Sequence, residues 1–254
     1  MLRIGCVKYL NARPLIHGWP EPVVLDHPAV LCRKLAGGEL DVALVSSFEF
    51  LRRPVYRIVD GVSISSDGPV YSVVVACTGE RPASEIELDP ASETSVALLQ
   101  HLMSERGEVF QGVQIATDLL SPIQSGRARL LIGDQAIRFR QKFGASYRYL
   151  DLGEEWRCIR QLPFVYALWL LRPEVTNIET LGEQLRALRD QNLQKIEQII
   201  GQEKSFEPAF CRRYYRDNLR FSLGDREKQG LQQFANACAK LNLIPERELD
   251  LQLV

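Results

Sequence analysis

The residues best suited to chemistry in this chain are small hydroxyl and amide side chains beside expected helix starts. Ser92-Glu93-Thr94-Ser95 gathers three hydroxyls around one such start. Free backbone N–H groups and the positive end of a helix dipole there favour a carboxylate or a phosphate. The same residues would also serve as a plain N-cap. Ser46 and Ser47 stand equally between a cap and a ligand contact, and Asp134 between an N-cap and an acid. Asn11 could cap the helix containing Pro14, or both donate to and accept from a substrate. Dinucleotide and phosphate loops of the G-x-G-x-x-G and GxxxxGK[ST] kinds are absent, as are H-E-x-x-H and G-x-S-x-G motifs. No histidine lies in these segments, so binding alone, or an elimination without metal or Ser/His nucleophile, is what the side chains allow.

The elements expected to position these groups alternate. Strands are expected over 2–7, 22–26 and 41–45, with helices after 11, over 28–36 and over 48–52. Gly37-Gly38 stops the second helix. A turn-rich stretch, 63–69, precedes a strand over 71–77. A second series then runs through strands at 86–88, 113–116 and 128–132. Its helices fall at 95–106 and 134–143, with a helical turn at 122–125. The apolar run 164–171 reads as a last strand, and the remainder is helical. Two such series, joined by one strand going out and one returning, describe a lobe inserted into another. The crossings are expected near Val70–Ser72 and Tyr166–Leu168. Residues 1–70 and 168–254 would form lobe one, and 71–167 lobe two. This is the plan of a hinged α/β binding-protein fold, each lobe a mostly parallel sheet flanked by helices. Ligands in such sheets sit at the carboxyl ends of the strands, here in the cleft between lobes. A single doubly wound domain is the alternative. Tyr9-Leu10-Asn11, Val45-Ser46-Ser47, Asp89–Ser95 and Gly133-Asp134 would then face one cleft, with Ser65–Pro69 beside the hinge.

Bulk properties agree with a globular protein. The 254 residues carry 31 Lys and Arg against 32 Asp and Glu, a net charge of -1. No basic excess points to nucleic acid. Six scattered cysteines form no CxxC pair, and three histidines lack ligand spacing to them, so reduced thiols and no metal are expected. The first residues enter a strand without the apolar stretch of roughly 7–15 residues an export signal needs. No segment reaches the roughly 20 apolar residues of a membrane span. A cytoplasmic location without membrane partners is the expectation.

Six motifs, in order, carry a resemblance. They are Val7-Lys-Tyr-Leu-Asn-Ala-Arg-Pro-Leu15, Gly38-Glu-Leu-Asp-Val-Ala-Leu-Val45, Ile64-Ser-Ser-Asp-Gly-Pro-Val70, Ser92-Glu-Thr-Ser-Val-Ala-Leu98, Leu131-Ile-Gly-Asp134 and Leu162-Pro-Phe-Val-Tyr-Ala-Leu-Trp169. Together they resemble the chorismate dehydratases of the futalosine route to menaquinone. The resemblance implies a type II periplasmic-binding-protein-like fold. It also implies a hydro-lyase converting chorismate, a dicarboxylate, to 3-[(1-carboxyvinyl)oxy]benzoate without metal or organic cofactor; a monomer or a homodimer is the separate expectation. The alternatives are the sister lyase acting on cyclic dehypoxanthinyl futalosine and a non-catalytic anion-binding protein. The sister branch begins with a Ser-Pro-Cys-Pro-Asn-Asp type motif where this chain has Lys8-Tyr-Leu-Asn11, which favours the dehydratase.

The catalytic role expected from this reading falls on Asn11, orienting the leaving hydroxyl or the enolpyruvyl group. The Thr94/Ser95 helix start, with Ser92, would take one carboxylate. Ser66, Gly68 and Ser72 would form the polar rim, joined by Ser46, Gly133 and Asp134. Phe164 would wall the ring, with Trp156 beside it, unless both simply pack the core. The family pattern has Thr-Gly where Arg160-Gln161 stands, and more often Ser at position 8 than Lys8. Both departures are read as positive charge added near the site. With no base in the cleft segments, the substrate's own side-chain carboxylate is expected to take the proton.

Overall fold

The computed structural model describes residues 2–80, 82–89, 92–115 and 118–254. Its elements, in chain order, begin with β1 (Ile4–Val7), a 3-10 turn (Leu10–Ala12), α1 (Arg13–Ile16), β2 (Val23–Asp26), α2 (Pro28–Ala36), β3 (Val42–Ser46), α3 (Ser47–Arg52) and β4 (Arg57–Ser66). The middle of the chain supplies β5 (Val73–Cys77), β6 (Glu85–Leu88), α4 (Glu93–Glu105), β7 (Gln111–Gln114), β8 (Arg127–Ile132), α5 (Gly133–Phe143), β9 (Arg148–Asp151) and α6 (Leu152–Arg160). β10 (Phe164–Leu171) follows, then α7 (Ile178–Gln194), α8 (Ile196–Gln202), α9 (Pro208–Arg213), a π-helical turn (Tyr214–Asn218) and α10 (Asp225–Lys240).

The strands form two five-stranded sheets, ordered β2-β1-β3-β10-β4 and β7-β6-β8-β5-β9. In each, four strands run one way and one runs against them, β10 in the first and β5 in the second. The two orders are equivalent, the opposed strand occupying the fourth place in both. Helices α2, α7 and α10 pack on the first sheet, and α4, α5 and α6 on the second. β3, β5 and β10 are buried along their whole length, which is why each reads as an unbroken apolar run. Edge strand β2, by contrast, leaves Leu25 57% exposed.

Three expectations need correction. The stretch 63–69 is mostly strand, since β4 continues to Ser66; its three serines pair on one side with β10 and, at Ser65, with Arg220. The hydroxyl-rich composition suggested a turn, but these hydroxyls are buried and satisfied by backbone carbonyls such as Ser222 and Gly68. Residues 122–125 form no helix: a turn closed by the Ser121 N–H on the Asp118 carbonyl precedes them, and Pro122 has no backbone N–H to give a helix. The return crossing does not fall near Tyr166–Leu168. β10 pairs with β4 from Phe164 onward, so the chain has already rejoined the first sheet there. β9 and α6 were not anticipated. The expected strand end at Ala116 lies outside the described residues.

The lobes are joined firmly on one side. Trp156 of α6, Phe164 of β10 and Phe234 of α10 meet edge to face, with ring centroids 4.8–6.1 Å apart. α10 approaches the crossing so closely that a Cβ on Gly230 would lie 2.1 Å from the Pro163 carbonyl oxygen. On the outgoing crossing, Tyr71 adopts a left-handed backbone (φ 68°), and the Asp151 carboxylate accepts from the Val70 and Tyr71 N–H groups at 3.0 and 2.7 Å. Among the described residues no helix is long and apolar enough to cross a membrane.

Candidate functional site

The carboxyl ends of β1, β3 and β8 and the start of α4 converge on a cleft between the two sheets, with about 580 Å³ free of protein atoms. The first lobe supplies Val7, Tyr9, Asn11, Ser46, Ile64 and Tyr166 to its lining. The second supplies Ser92, Glu93, Thr94, Ser95, Ile132 and Gly133, and the crossing adds Val70, Ser72 and Val73.

Each wall has its own local logic. β1 ends at Val7, and the chain turns at once into the 3-10 turn that carries Asn11. Ala12, not Asn11, holds the N-cap place of α1, and no side chain caps that helix. The buried Asn11 Oδ1 finds no hydrogen-bond partner among the described residues. Ser92 sits at the N-cap of the 13-residue α4 without capping it, and its buried Oγ is likewise unpartnered. Two polar atoms so placed call for an outside partner, since leaving each unmade costs on the order of 1–3 kcal/mol.

The walls also touch. Thr94 Oγ1 hydrogen-bonds Ser46 Oγ and accepts from the Phe48 N–H at 3.3 Å. Ser46 therefore spends its hydroxyl across the cleft rather than on α3, which it does not cap. The Arg52 guanidinium bridges Glu93 of the second lobe to buried Glu49 of the first. The Tyr9 ring lies over Gly133, whose φ of 55° and close approach exclude a side chain; a Cβ there would stand 2.7 Å from the ring.

Electrostatically the cleft is anion-friendly, with no lining cation among the described residues. Glu93 is the one lining carboxylate among them, and Arg52 holds both of its oxygens, at 3.0 and 3.2 Å. Burial pushes the Tyr9 and Tyr166 phenols well above their ordinary range, so both stay neutral hydroxyls. What remains to meet a carboxylate is the N-terminus of α4 with Ser92, Thr94 and Ser95. No paired nucleophile and base lines the cleft among the described residues.

Not every expected site residue reaches it. Ser66 donates to the Gly68 carbonyl and accepts from the Tyr166 hydroxyl, so Ser66 and Gly68 brace the strand end instead of lining the cleft. Asp134 neither lines the cleft nor caps α5. Its carboxylate accepts from the Leu10 N–H at 2.7 Å, clasping one lobe to the other, and burial raises its pKa despite that bond. Phe164 and Trp156 lie in the aromatic core described above, 1% and 0% exposed. Arg160 faces away: it binds Glu105 at 2.7 Å and His101 at 3.0 Å. Lys8 is exposed. Pro90 and Ala91, within the expected Asp89–Ser95 segment, lie outside the described residues.

Residues 2–240 match the family model described as menaquinone biosynthesis. The chain belongs to the menaquinone-biosynthesis family. A chorismate dehydratase of Thermus thermophilus is 30% identical, over 92% of this chain and 94% of its own. Among solved structures, protein AF1704 from Archaeoglobus fulgidus superimposes with a TM-score of 0.73 at 18% identity, covering 96% of this chain and 98% of that one. The periplasmic aliphatic sulphonate binding protein of Escherichia coli gives 0.64 at 16% identity, covering 98% and 89%. The fold is thus the two-lobed periplasmic-binding-protein-like one.

Within this member of the menaquinone-biosynthesis family, sequence reasoning set the Tyr9–Asn11 segment at the cleft without giving Tyr9 a role, and it overlooked Tyr166 as a lining group, although both stand inside the quoted motifs. Alternation along β10 could not have flagged Tyr166, because the register with β4 shifts between Val165 and Ala167 and the adjacent Tyr166 and Ala167 both line the cleft. One grouping has metal-ligand spacing among the described residues: Cys32, Glu49 and Glu93. Arg52 already pairs with both carboxylates, and burial pushes the Cys32 thiol up to about 12. An arginine therefore occupies the place a cation would take.

Proposed function

We propose that this protein is a chorismate dehydratase, forming 3-[(1-carboxyvinyl)oxy]benzoate for menaquinone biosynthesis in the cytoplasm, with no metal or organic cofactor. One observation carries the reading beyond family membership. Five of the six quoted motifs send residues into the same cleft: Val7, Tyr9 and Asn11; Ile64 and Val70; Ser92 to Ser95; Ile132 and Gly133; Tyr166 and Ala167. The sixth, 38–45, ends directly before Ser46, which lines it too.

The reaction removes a proton from the ring carbon bearing the enolpyruvyl ether and hydroxide from its neighbour, leaving water and an aromatic ring. Aromatisation supplies the driving force, so the protein has to hold one conformer and stabilise developing charge. The α4 N-terminus, with Ser92 and Ser95, takes one carboxylate. Asn11 donates its amide N–H to the departing oxygen and accepts from a second group through Oδ1. Tyr9, Ile64, Val70 and Ile132 wall the ring and exclude water. Since Glu93 is held by Arg52, the substrate's side-chain carboxylate serves as the base. Incubating the purified chain with chorismate should yield a product lighter by one water, and dialysis against a chelator should leave the rate unchanged. No product from chorismate, or turnover of cyclic dehypoxanthinyl futalosine in its place, would reject the reading.

A further inference from the structure

The C-terminal third lines none of the cleft, yet one of its side chains reaches a lining hydroxyl and another the backbone beside lining Asn11. They are consecutive, Tyr214 and Tyr215, at the start of the π-helical turn that follows α9. Widened turns of this kind are frequent at functional sites. The Tyr214 hydroxyl donates to Ser72 Oγ at 2.6 Å, and the Tyr215 hydroxyl donates to the Leu10 carbonyl at 2.9 Å. Both rings are buried, 1% and 7% exposed, and Tyr214 stacks on Phe210 at 5.6 Å.

Proton counting at Ser72 gives this arrangement its meaning. A serine hydroxyl has one proton to give and can accept. Tyr214 fills an acceptor position on Ser72 Oγ, and the buried phenol keeps its proton because burial raises its pKa. Ser72 is fully buried in the cleft wall, and its own proton meets no acceptor among the described residues. We propose that Tyr214 is a positioning residue that fixes the Ser72 hydroxyl as a donor aimed into the cleft, toward an oxygen of the bound dicarboxylate. Tyr215 acts on the opposite wall, holding the turn that carries Asn11. A single rigid turn thereby sets one hydrogen-bonding group on each side of the ligand.

The inference rests on the dehydratase reading, and one set of variants separates the two. Steady-state kinetics with chorismate would be measured for the full chain, Ser72→Ala, Tyr214→Phe, Tyr215→Phe and the doubles with Ser72→Ala. Tyr214→Phe should lower kcat/KM about fivefold, the scale of one neutral hydrogen bond, with the melting temperature unchanged. In the Ser72→Ala background the same change should cost nothing more, because its target is gone. Tyr215→Phe is the matched control, an equal change on the same turn, and its loss should multiply with that of Ser72→Ala. Multiplying losses for Tyr214→Phe and Ser72→Ala, or full activity in either single variant, would overturn the inference. Should Tyr214→Phe fail to fold, Ser72→Ala still decides: unchanged kcat/KM overturns the proposal, and a loss confined to substrate binding supports it. A wild-type chain that leaves chorismate intact would instead reject the dehydratase reading.

Discussion

The two walls of the cleft differ in kind. The second lobe offers a helix start: Ser92, Thr94 and Ser95 around the first turn of α4, with Gly133 opening α5. The first lobe offers individual side chains, Asn11, Tyr9 and Tyr166, projecting from a turn and a strand. A helix N-terminus attracts an anion through many backbone dipoles at once, so it binds substrate and transition state nearly alike. A single amide at a departing oxygen discriminates between them. On the proposed function the walls would divide the work into holding and activating, and that division is open to kinetic test.

The largest effect is expected on the activating wall. Asn11→Asp sets a negative charge beside a dianionic substrate, and Asn11→Leu removes both hydrogen-bonding roles. Each should cut kcat more than tenfold, about 1.4 kcal/mol or more of barrier. Neither should lower the melting temperature, because Asn11 Oδ1 has no hydrogen-bond partner among the described residues to lose. Full activity in Asn11→Asp would remove Asn11 from the chemistry. On the holding wall, Ser92→Ala should raise KM several-fold and leave kcat nearly intact, the mark of uniform binding. A loss in kcat as large as that of the Asn11 variants would erase the distinction between walls.

A smaller effect concerns the clasp between them. Folding raises the Asp134 pKa above its ordinary 3.8. Between that value and the elevated folded one, the native chain keeps a proton that the unfolded chain has lost. Stability therefore falls as pH rises through that window. Asp134→Asn should flatten the fall in melting temperature there, leaving the share due to Asp151, which is raised in the same direction. An unchanged slope would mean Asp134 titrates normally. The smallest effect, none at all, is expected for Arg160→Thr. Its guanidinium is engaged by Glu105, so KM and its salt dependence should stay as they were. A weakened, less salt-sensitive KM would place that charge within reach of the substrate.

What could be read from sequence followed the range of the forces involved. Periodicity located α2 and β10 to the residue, since burial on one stripe or on both faces writes itself into local composition. The positions of Asn11, Ser46, Ser92 and Thr94 at one cleft followed from the rule that strand ends converge. What was missed depends on contacts between distant segments. Nothing near Asp134 announces that Leu10 will claim its carboxylate, nor does anything near Arg160 announce Glu105 across two helices. The β4 serines looked like a turn because their acceptors, the carbonyls of Arg220 and Ser222, come from the far end of the chain.

The strand order also bears on how the chain is made. β10 lies between β3 and β4, so these two never pair with each other and each waits for the same late strand. β10 emerges roughly a hundred residues after β4, which at about 5–20 residues per second is on the order of 5–20 s of synthesis. During that interval the second lobe holds all five of its strands before the first is complete. The nascent chain therefore matures from its middle outward, with β4 exposed as an unpaired edge until the ribosome has passed Leu171.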